Sequence, residues 1–206
     1  MNEQLPPGGG LTLATKVTLV RLLGVPVFVV LLIYFLYGLR AGQAVDGLRL
    51  SALLVFVAVA ATDALDGYLA RSRNEITTLG KVLDPLADKS LLLAGLILLT
   101  RPSLPGLVPH IPIWFSALVI SRDVILIAGY FIIHHFAGHV VVHPRWTGKT
   151  ATVLQMGVIV WVLLQADNRY FLPAVAVAGI LTGISFLQYV VDGARQLGRV
   201  THPAAS

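Results

Sequence analysis

Cysteine is absent from this chain of 206 residues, and charged residues make up only 12% of it. The absence of cysteine excludes disulfides, thiolate metal sites and cysteine nucleophiles. Soluble domains carry about 25% charged residues and are about 45–50% apolar, whereas 56% of this sequence is hydrophobic. No basic stretch interleaved with aromatic residues occurs, so we expect no nucleic-acid partner. We assign the net charge of +5 to loops that face the anionic headgroups of membrane lipids.

The hydrophobic residues lie in long runs. A membrane-spanning helix needs roughly 20 mostly apolar residues, and six segments meet or approach that length. The predicted spans are Val17–Tyr37, Ser51–Ala70, Asp84–Thr100, Pro112–His135, Thr150–Ala166 and Phe171–Val191. This pattern predicts an all-α integral membrane protein with six transmembrane helices in a single domain over residues 1–206. Residues 1–14 are expected to form a flexible or interfacial segment, and residues 200–206 a disordered tail.

The basic residues predict the orientation of the chain, because cytoplasmic loops carry the excess of Lys and Arg. With the N-terminus in the cytoplasm, ten basic residues lie on that side and four on the other. The ten are Lys16, Arg21, Arg71, Arg73, Lys81, Lys89, Arg145, Lys149, Arg195 and Arg199; the four are Arg40, Arg49, Arg101 and Arg169. We therefore predict that both termini face the cytoplasm, in a bacterial-type inner membrane or an equivalent one.

Four aspartates form a cluster at the predicted cytoplasmic edge. Asp63 and Asp66 are three residues apart, and Asp84 and Asp88 are four apart, so each pair shares one face of a helix. Carboxylates grouped near a bilayer are unfavourable unless cations compensate them. Hard oxygen ligands select Mg²⁺, Mn²⁺ or Ca²⁺ rather than zinc, and Mg²⁺ commonly bridges carboxylates to substrate phosphates. The cluster therefore predicts a divalent-metal site for a substrate that carries phosphate.

Three other interpretations of the aspartates stay open at this point. They could form a solvated helix end paired with Arg71, Arg73, Lys81 and Lys89. They could couple cations in a transporter, which predicts acids spread over several helices near the bilayer centre. They could serve a membrane prenyltransferase, which needs two separated Asp-rich motifs and more spans. Gly67 and Gly80 favour a phosphate-binding enzyme, because glycines allow close approach to the backbone, and Arg71 can donate two parallel hydrogen bonds to phosphate.

The spacing of these residues resembles the complete signature of the CDP-alcohol phosphotransferase family. Eight fixed positions match: Asp63-x2-Asp66-Gly67-x2-Ala70-Arg71-x8-Gly80-x3-Asp84-x3-Asp88. The resemblance implies a homodimer of six-helix subunits, each with an interfacial N-terminal helix. It implies two metal ions, Mg²⁺ or Mn²⁺, the first held by Asp63, Asp66 and Asp84. The second ion is held by Asp63, Asp84 and Asp88, and Asp88 is the catalytic base.

The same resemblance implies the donor and the reaction. CDP-diacylglycerol gives its phosphatidyl group to an alcohol by direct displacement, and CMP is released. The residues implied in holding the CDP moiety are Thr18, Arg21, Gly67, Arg71 and Gly80. Thr18 and Arg21 match an N-terminal family pattern in which Thr15 stands here in place of Asn. The His-x-Lys-x4-Asp nucleophile of phospholipase-D-type synthases does not occur in the sequence.

Arg122, Arg145 and Lys149 are the residues predicted to bind the acceptor. Arg122 falls within the fourth span. A charge inside a membrane span is unfavourable, so we expect Arg122 to have a function. Arg145 and Lys149 stand at the cytoplasmic start of the fifth span. The structural alternatives are an internal ion pair between Arg122 and Asp123, and ordinary membrane anchoring by Arg145 and Lys149.

Three segments resemble the glycerol-acceptor branches of the family: Ser121-Arg122-Asp123-Val124, His143-Pro144 and Gly148-Lys149-x2-Thr152-x2-Gln155. These branches are phosphatidylglycerophosphate synthase and the cardiolipin synthase of the same fold. In the former, Glu and a further Arg are expected where this chain has Asp123 and Tyr130. We therefore expect a glycerol-type acceptor, with phosphatidylglycerol narrowly preferred and glycerol 3-phosphate as the alternative. Inositol phosphate and serine are less favoured.

Overall fold

The computed structural model describes residues 13–43, 45–69, 78–100, 107–137 and 146–201, and within these ranges it contains helices and no strand. Side chains are described for residues 23–43, 45–62, 89–100, 107–129 and 146–194. The helices are α1 (Leu13–Arg40), α2 (Asp46–Leu69), α3 (Thr78–Leu99), α4 (Ile113–Ala137), α5 (Trp146–Leu164) and α6 (Phe171–Thr201). A short 3-10 helix, Asn168–Tyr170, leads into α6.

Each predicted span overlaps one of these helices. Helix α3 begins at Thr78, before the predicted start at Asp84, so the polar segment ahead of the apolar run is also helical. Helix α6 continues through Thr201, which brings Val200 and Thr201, two residues of the predicted tail, into the helix. The all-α class is thus confirmed for the described residues.

Several helices have the length and composition of membrane spans. Among the described residues, three stretches are long and apolar enough to cross a membrane: Leu23–Arg40, Trp146–Leu164 and Asn168–Ala194. Large apolar side chains such as Leu54, Val153 and Leu187 are more than half exposed, as expected for surfaces that meet lipid tails rather than water. These features indicate an integral membrane protein. Six spans and a cytoplasmic orientation stay predictions.

The chain divides into two compact units, and the first comprises residues 1–35 and 45–91. In this unit the rings of Phe28 on α1 and Phe56 on α2 pack with their centroids 5.3 Å apart. Gly24 lies against Val59, where an added Cβ would collide with Cγ2 of the valine. Since the contacts pair residue 24 with 59 and residue 28 with 56, α1 and α2 are antiparallel. A single domain over residues 1–206 stays a prediction.

The second unit comprises residues 36–44 and 92–206, and in it α6 packs against both α4 and α5. Small residues allow these helices to approach closely. A Cβ at Gly179 on α6 would lie 2.8 Å from the Trp114 ring on α4, and one at Gly95 on α3 would lie 2.9 Å from Ile159 on α5. The position of α6 beside both α4 and α5 brings polar side chains from three helices together.

Candidate active site

The four predicted metal-binding aspartates lie on two helices of the first unit. Asp63 and Asp66 belong to α2, and Asp84 and Asp88 belong to α3. Their side chains are outside the described set, but both segments are continuous helix, so the i,i+3 and i,i+4 spacings apply as predicted. A donor set made only of carboxylates fits a hard divalent cation. The number of ions and the ligands of each stay predictions.

The residues predicted to hold the CDP moiety are described only by their backbone. Thr18 and Arg21 belong to α1, Gly67 to α2 and Gly80 to α3, whereas Arg71 lies outside the described residues. All four placed residues are thus helical. Their binding of CDP stays a prediction.

Arg122 is the best-described of the predicted site residues. It is 4% exposed on α4, and its Nη1 donates a hydrogen bond to Oδ1 of Asp123 at 2.9 Å. Its Nη2 donates to Oγ of Ser185 on α6 at 3.2 Å, and its guanidinium carbon lies 5.8 Å from the ring centroid of Tyr189. The internal ion pair with Asp123 is therefore present. Nε of Arg122 is nevertheless buried and has no hydrogen-bond partner among the described residues.

Gly148 on α5 completes what we call the arginine cluster, which consists of Arg122, Asp123, Gly148, Ser185 and Tyr189. A Cβ at position 148 would lie 3.2 Å from the Tyr189 hydroxyl, 3.3 Å from Nη2 of Arg122 and 3.4 Å from Oγ of Ser185. Three polar atoms from two other helices thus converge on a residue that has no side chain. Any larger residue at position 148 would crowd the polar ends of the cluster.

Lys149, another predicted acceptor residue, is not part of this cluster. Lys149 is exposed, and its Nζ lies 5.9 Å from the ring centroid of Trp146. The described residues show no contact between Lys149 and Arg122. Arg145 lies outside the residues that the structure describes. The pairing of Lys149 with an exposed tryptophan fits the membrane-anchoring alternative, because both residue types are common at the membrane interface.

The polar residues of α6 were not among the predicted site residues. Thr182, Ser185 and Tyr189 occupy positions i, i+3 and i+7 of α6, which is one face of a helix. Gln155 on α5 is fully buried and donates from Nε2 to Oγ1 of Thr182 at 2.8 Å. The signal in the sequence was this polar spacing within an otherwise apolar span.

Comparisons with known proteins agree with the resemblance of the aspartate motif. The sequence model of the CDP-alcohol phosphatidyltransferase family matches residues 11–191. The CDP-diacylglycerol--glycerol-3-phosphate 3-phosphatidyltransferase of Escherichia coli (strain K12) is 32% identical over 183 residues, which cover 85% of this chain and 91% of the relative. The Bacillus subtilis (strain 168) protein with the same name is 32% identical over 184 residues, covering 88% of this chain and 91% of the relative.

The match spans nearly the whole chain, including both pairs of aspartates and the arginine cluster. The relatives are enzymes by name, which favours the enzyme over the cation-coupled transporter. The chain therefore belongs to the CDP-alcohol phosphatidyltransferase family.

Proposed function

We propose that this enzyme transfers the phosphatidyl group of CDP-diacylglycerol to glycerol 3-phosphate, releasing CMP and forming phosphatidylglycerophosphate. The names of both relatives specify this donor and this acceptor. The sequence alone narrowly favoured phosphatidylglycerol, because Asp123 and Tyr130 differ from the residues expected in a phosphatidylglycerophosphate synthase. The names of the relatives support glycerol 3-phosphate more strongly than Asp123 and Tyr130 support phosphatidylglycerol.

The structural observation that supports an acceptor carrying phosphate is the partly satisfied guanidinium of Arg122. Arginine has five N–H donors, and Asp123 and Ser185 each accept from one terminal nitrogen. Nε stays unpartnered among the described residues although the side chain is 4% exposed. A buried donor without an acceptor is unfavourable by about 1–3 kcal/mol, and a phosphate oxygen of the acceptor would remove that penalty. Arginine forms strong, geometrically specific hydrogen bonds with phosphate.

The proposed reaction is a direct displacement at the phosphorus that carries diacylglycerol. When bound, the metal ions would be held by Asp63, Asp66, Asp84 and Asp88 and would neutralise the pyrophosphate. Asp88 accepts the proton of the acceptor hydroxyl as general base. The hydroxyl oxygen forms a bond to the phosphorus while the bond to the bridging oxygen breaks, and CMP leaves with that electron pair.

The family resemblance is also the support for three further parts of the proposal. The enzyme is a homodimer, its catalytic site opens towards the cytoplasm, and six helices span the membrane. In this arrangement Thr18, Arg21, Gly67, Arg71 and Gly80 hold the CDP moiety.

The test is an acceptor comparison with the protein purified in detergent. CDP-diacylglycerol and Mg²⁺ are supplied with glycerol 3-phosphate, phosphatidylglycerol, inositol phosphate or no acceptor, and CMP and the lipid product are measured. We expect CMP release that depends on glycerol 3-phosphate, and phosphatidylglycerophosphate as the product. Asp88→Asn should lower kcat by about 10²–10⁴-fold. Asp46→Asn is the matched control, because Asp46 is an exposed carboxylate that pairs with Arg49.

Two results would contradict the proposal. If cardiolipin forms from phosphatidylglycerol and glycerol 3-phosphate gives no product, the acceptor is phosphatidylglycerol. Full activity in Asp88→Asn would remove Asp88 from the proposed role of base.

A further inference from the structure

Gln155 carries a second buried polar atom without a partner. The side chain is fully buried on α5, and its Oε1 has no hydrogen-bond partner among the described residues. Its Nε2 donates to Oγ1 of Thr182. A glutamine carbonyl oxygen is an acceptor only, so the missing partner must be an O–H or N–H donor.

The orientation of the Gln155 amide follows from the bonding of Thr182. The threonine hydroxyl donates its single hydrogen to the backbone oxygen of Ala178, at 2.7 Å. Its oxygen is then free only to accept, so the NH₂ group of Gln155 must face it. Reversing the amide would place two acceptors against each other. The hydrogen-bond network therefore directs Oε1 away from Thr182, with its lone pairs unused.

The two residues that carry the unpartnered atoms contact neighbouring positions of α6. Gln155 bonds to Thr182, and Arg122 bonds to Ser185, which is three residues further along α6. Three residues correspond to about 4.5 Å along a helix axis. Ala151 on α5 is fully buried and has only a methyl side chain. We call this group the α5–α6 seam. It consists of Ala151 and Gln155 on α5, Thr182 and Ser185 on α6, and Arg122, which reaches Ser185 from α4.

The chemistry of the seam is complementary to a small polyol phosphate. Arg122 offers a cationic donor and Gln155 a neutral acceptor, and the residues of α6 that they contact are about 4.5 Å apart along the helix axis. A three-carbon phosphate ester that carries hydroxyls has an anionic group and O–H donors at a comparable separation. A phosphate without hydroxyls would satisfy Arg122 and leave Oε1 of Gln155 unpaired.

We propose that Gln155 recognises a hydroxyl group of the acceptor and so determines specificity for a polyol phosphate over a simple alkyl phosphate. This inference rests on the proposed function and adds a residue to it. Gln155 acts through binding and takes no part in proton transfer. Sites built to hydrogen-bond a hydroxyl discriminate strongly against analogues that lack it, because the protein group is then left unpaired.

The experiment compares two ligands that differ only in their hydroxyls. Glycerol 3-phosphate and n-propyl phosphate are titrated calorimetrically into the purified full-length protein without CDP-diacylglycerol, so binding is measured without turnover. We expect the wild type to bind glycerol 3-phosphate at least about 10-fold more tightly. Gln155→Met keeps the length of the side chain and removes the acceptor. It should lose that preference and bind n-propyl phosphate as the wild type does.

Gly157→Ala is the matched control on the same helix, because an added Cβ there meets nothing within 4 Å. It should keep the full preference. Equal weakening of both ligands in Gln155→Met would assign Gln155 a purely structural role and overturn the inference. Equal affinity of the wild type for both ligands would overturn it regardless of how the variant folds.

The acceptor assay separates the two proposals. If the wild type makes phosphatidylglycerophosphate but its ligand preference does not depend on Gln155, the inference fails and the proposed function stands. If glycerol 3-phosphate yields no product but binds with a preference that Gln155→Met abolishes, the proposed function fails and the recognition by Gln155 stands.

Discussion

Nη2 of Arg122 on α4 and Oγ of Ser185 on α6 are joined by a hydrogen bond of 3.2 Å, although 63 residues separate them in the sequence. Both side chains are buried. The bond ties the charged residue of α4 to the helix that packs against it, and it fixes the position of the guanidinium.

Replacing Gly148 with alanine should weaken acceptor binding without unfolding the protein. The new Cβ would lie 3.2–3.4 Å from Tyr189, Arg122 and Ser185, so these polar ends must shift by a few tenths of an ångström. Misplaced binding groups reduce catalytic efficiency steeply, and we expect KM for glycerol 3-phosphate to rise about 10-fold. Steady-state CMP release measures KM, and Gly157→Ala should stay within about 2-fold of the wild type. An unchanged KM in Gly148→Ala would show that the cluster does not bind the acceptor.

Removing the carboxylate of Asp123 should destabilise the protein. Leucine at this position leaves Arg122 buried beside an apolar side chain, and breaking a buried ion pair on one side is unfavourable by about 3–5 kcal/mol. Asp123→Asn keeps an oxygen acceptor at this position, so it should have a smaller effect than Asp123→Leu. Thermal unfolding in detergent compares the two variants. Equal melting temperatures for Asp123→Leu and the wild type would contradict a structural role of the pair.

Alanine at Gly179 should disrupt packing between α4 and α6. Its Cβ would lie 2.8 Å from Cζ3 of Trp114 and 3.1 Å from Cη2. Overpacking of this kind is unfavourable by about 1–3 kcal/mol, so we expect a lower melting temperature. Gly183→Ala is the control one turn further along α6, because its Cβ would meet nothing within 4 Å. Adding Trp114→Phe to Gly179→Ala should raise the melting temperature again, because the smaller ring removes the atoms that the new Cβ meets. If the double variant melts no higher than Gly179→Ala, the contact with Trp114 is not the cause of the destabilisation.

Chelation of divalent cations should abolish CMP release. Carboxylate oxygens bind Mg²⁺ and Mn²⁺ well, whereas Zn²⁺ prefers nitrogen and sulfur ligands. We therefore expect Mg²⁺ or Mn²⁺, but not Zn²⁺, to restore the activity after treatment with EDTA. Asp84→Asn should raise the Mg²⁺ concentration needed for half-maximal activity, and Asp46→Asn should leave it unchanged. Activity that survives complete chelation would refute the metal site.

The spacing of the four aspartates was predictable because it is local. Asp63 and Asp66 lie within two turns of α2, and Asp84 and Asp88 within two turns of α3, so spacing alone relates the members of each pair. The apolar runs likewise predicted the helices, since backbone groups within a bilayer must be satisfied internally. The exact ends were less predictable. Thr78 begins α3 ahead of its apolar run, because a polar segment can be helical too.

The sequence by itself determined the helical class, the membrane character and the aspartate spacing, all of which follow from neighbours along the chain. Only the tertiary structure decided that Arg122 pairs with Asp123, contacts Ser185 and leaves Nε unpartnered among the described residues. It also decided that Gly148 lies against this cluster while its neighbour Lys149 is exposed. These relationships depend on how α4, α5 and α6 pack. Packing brings together residues that are far apart in sequence, which local spacing and hydropathy do not specify.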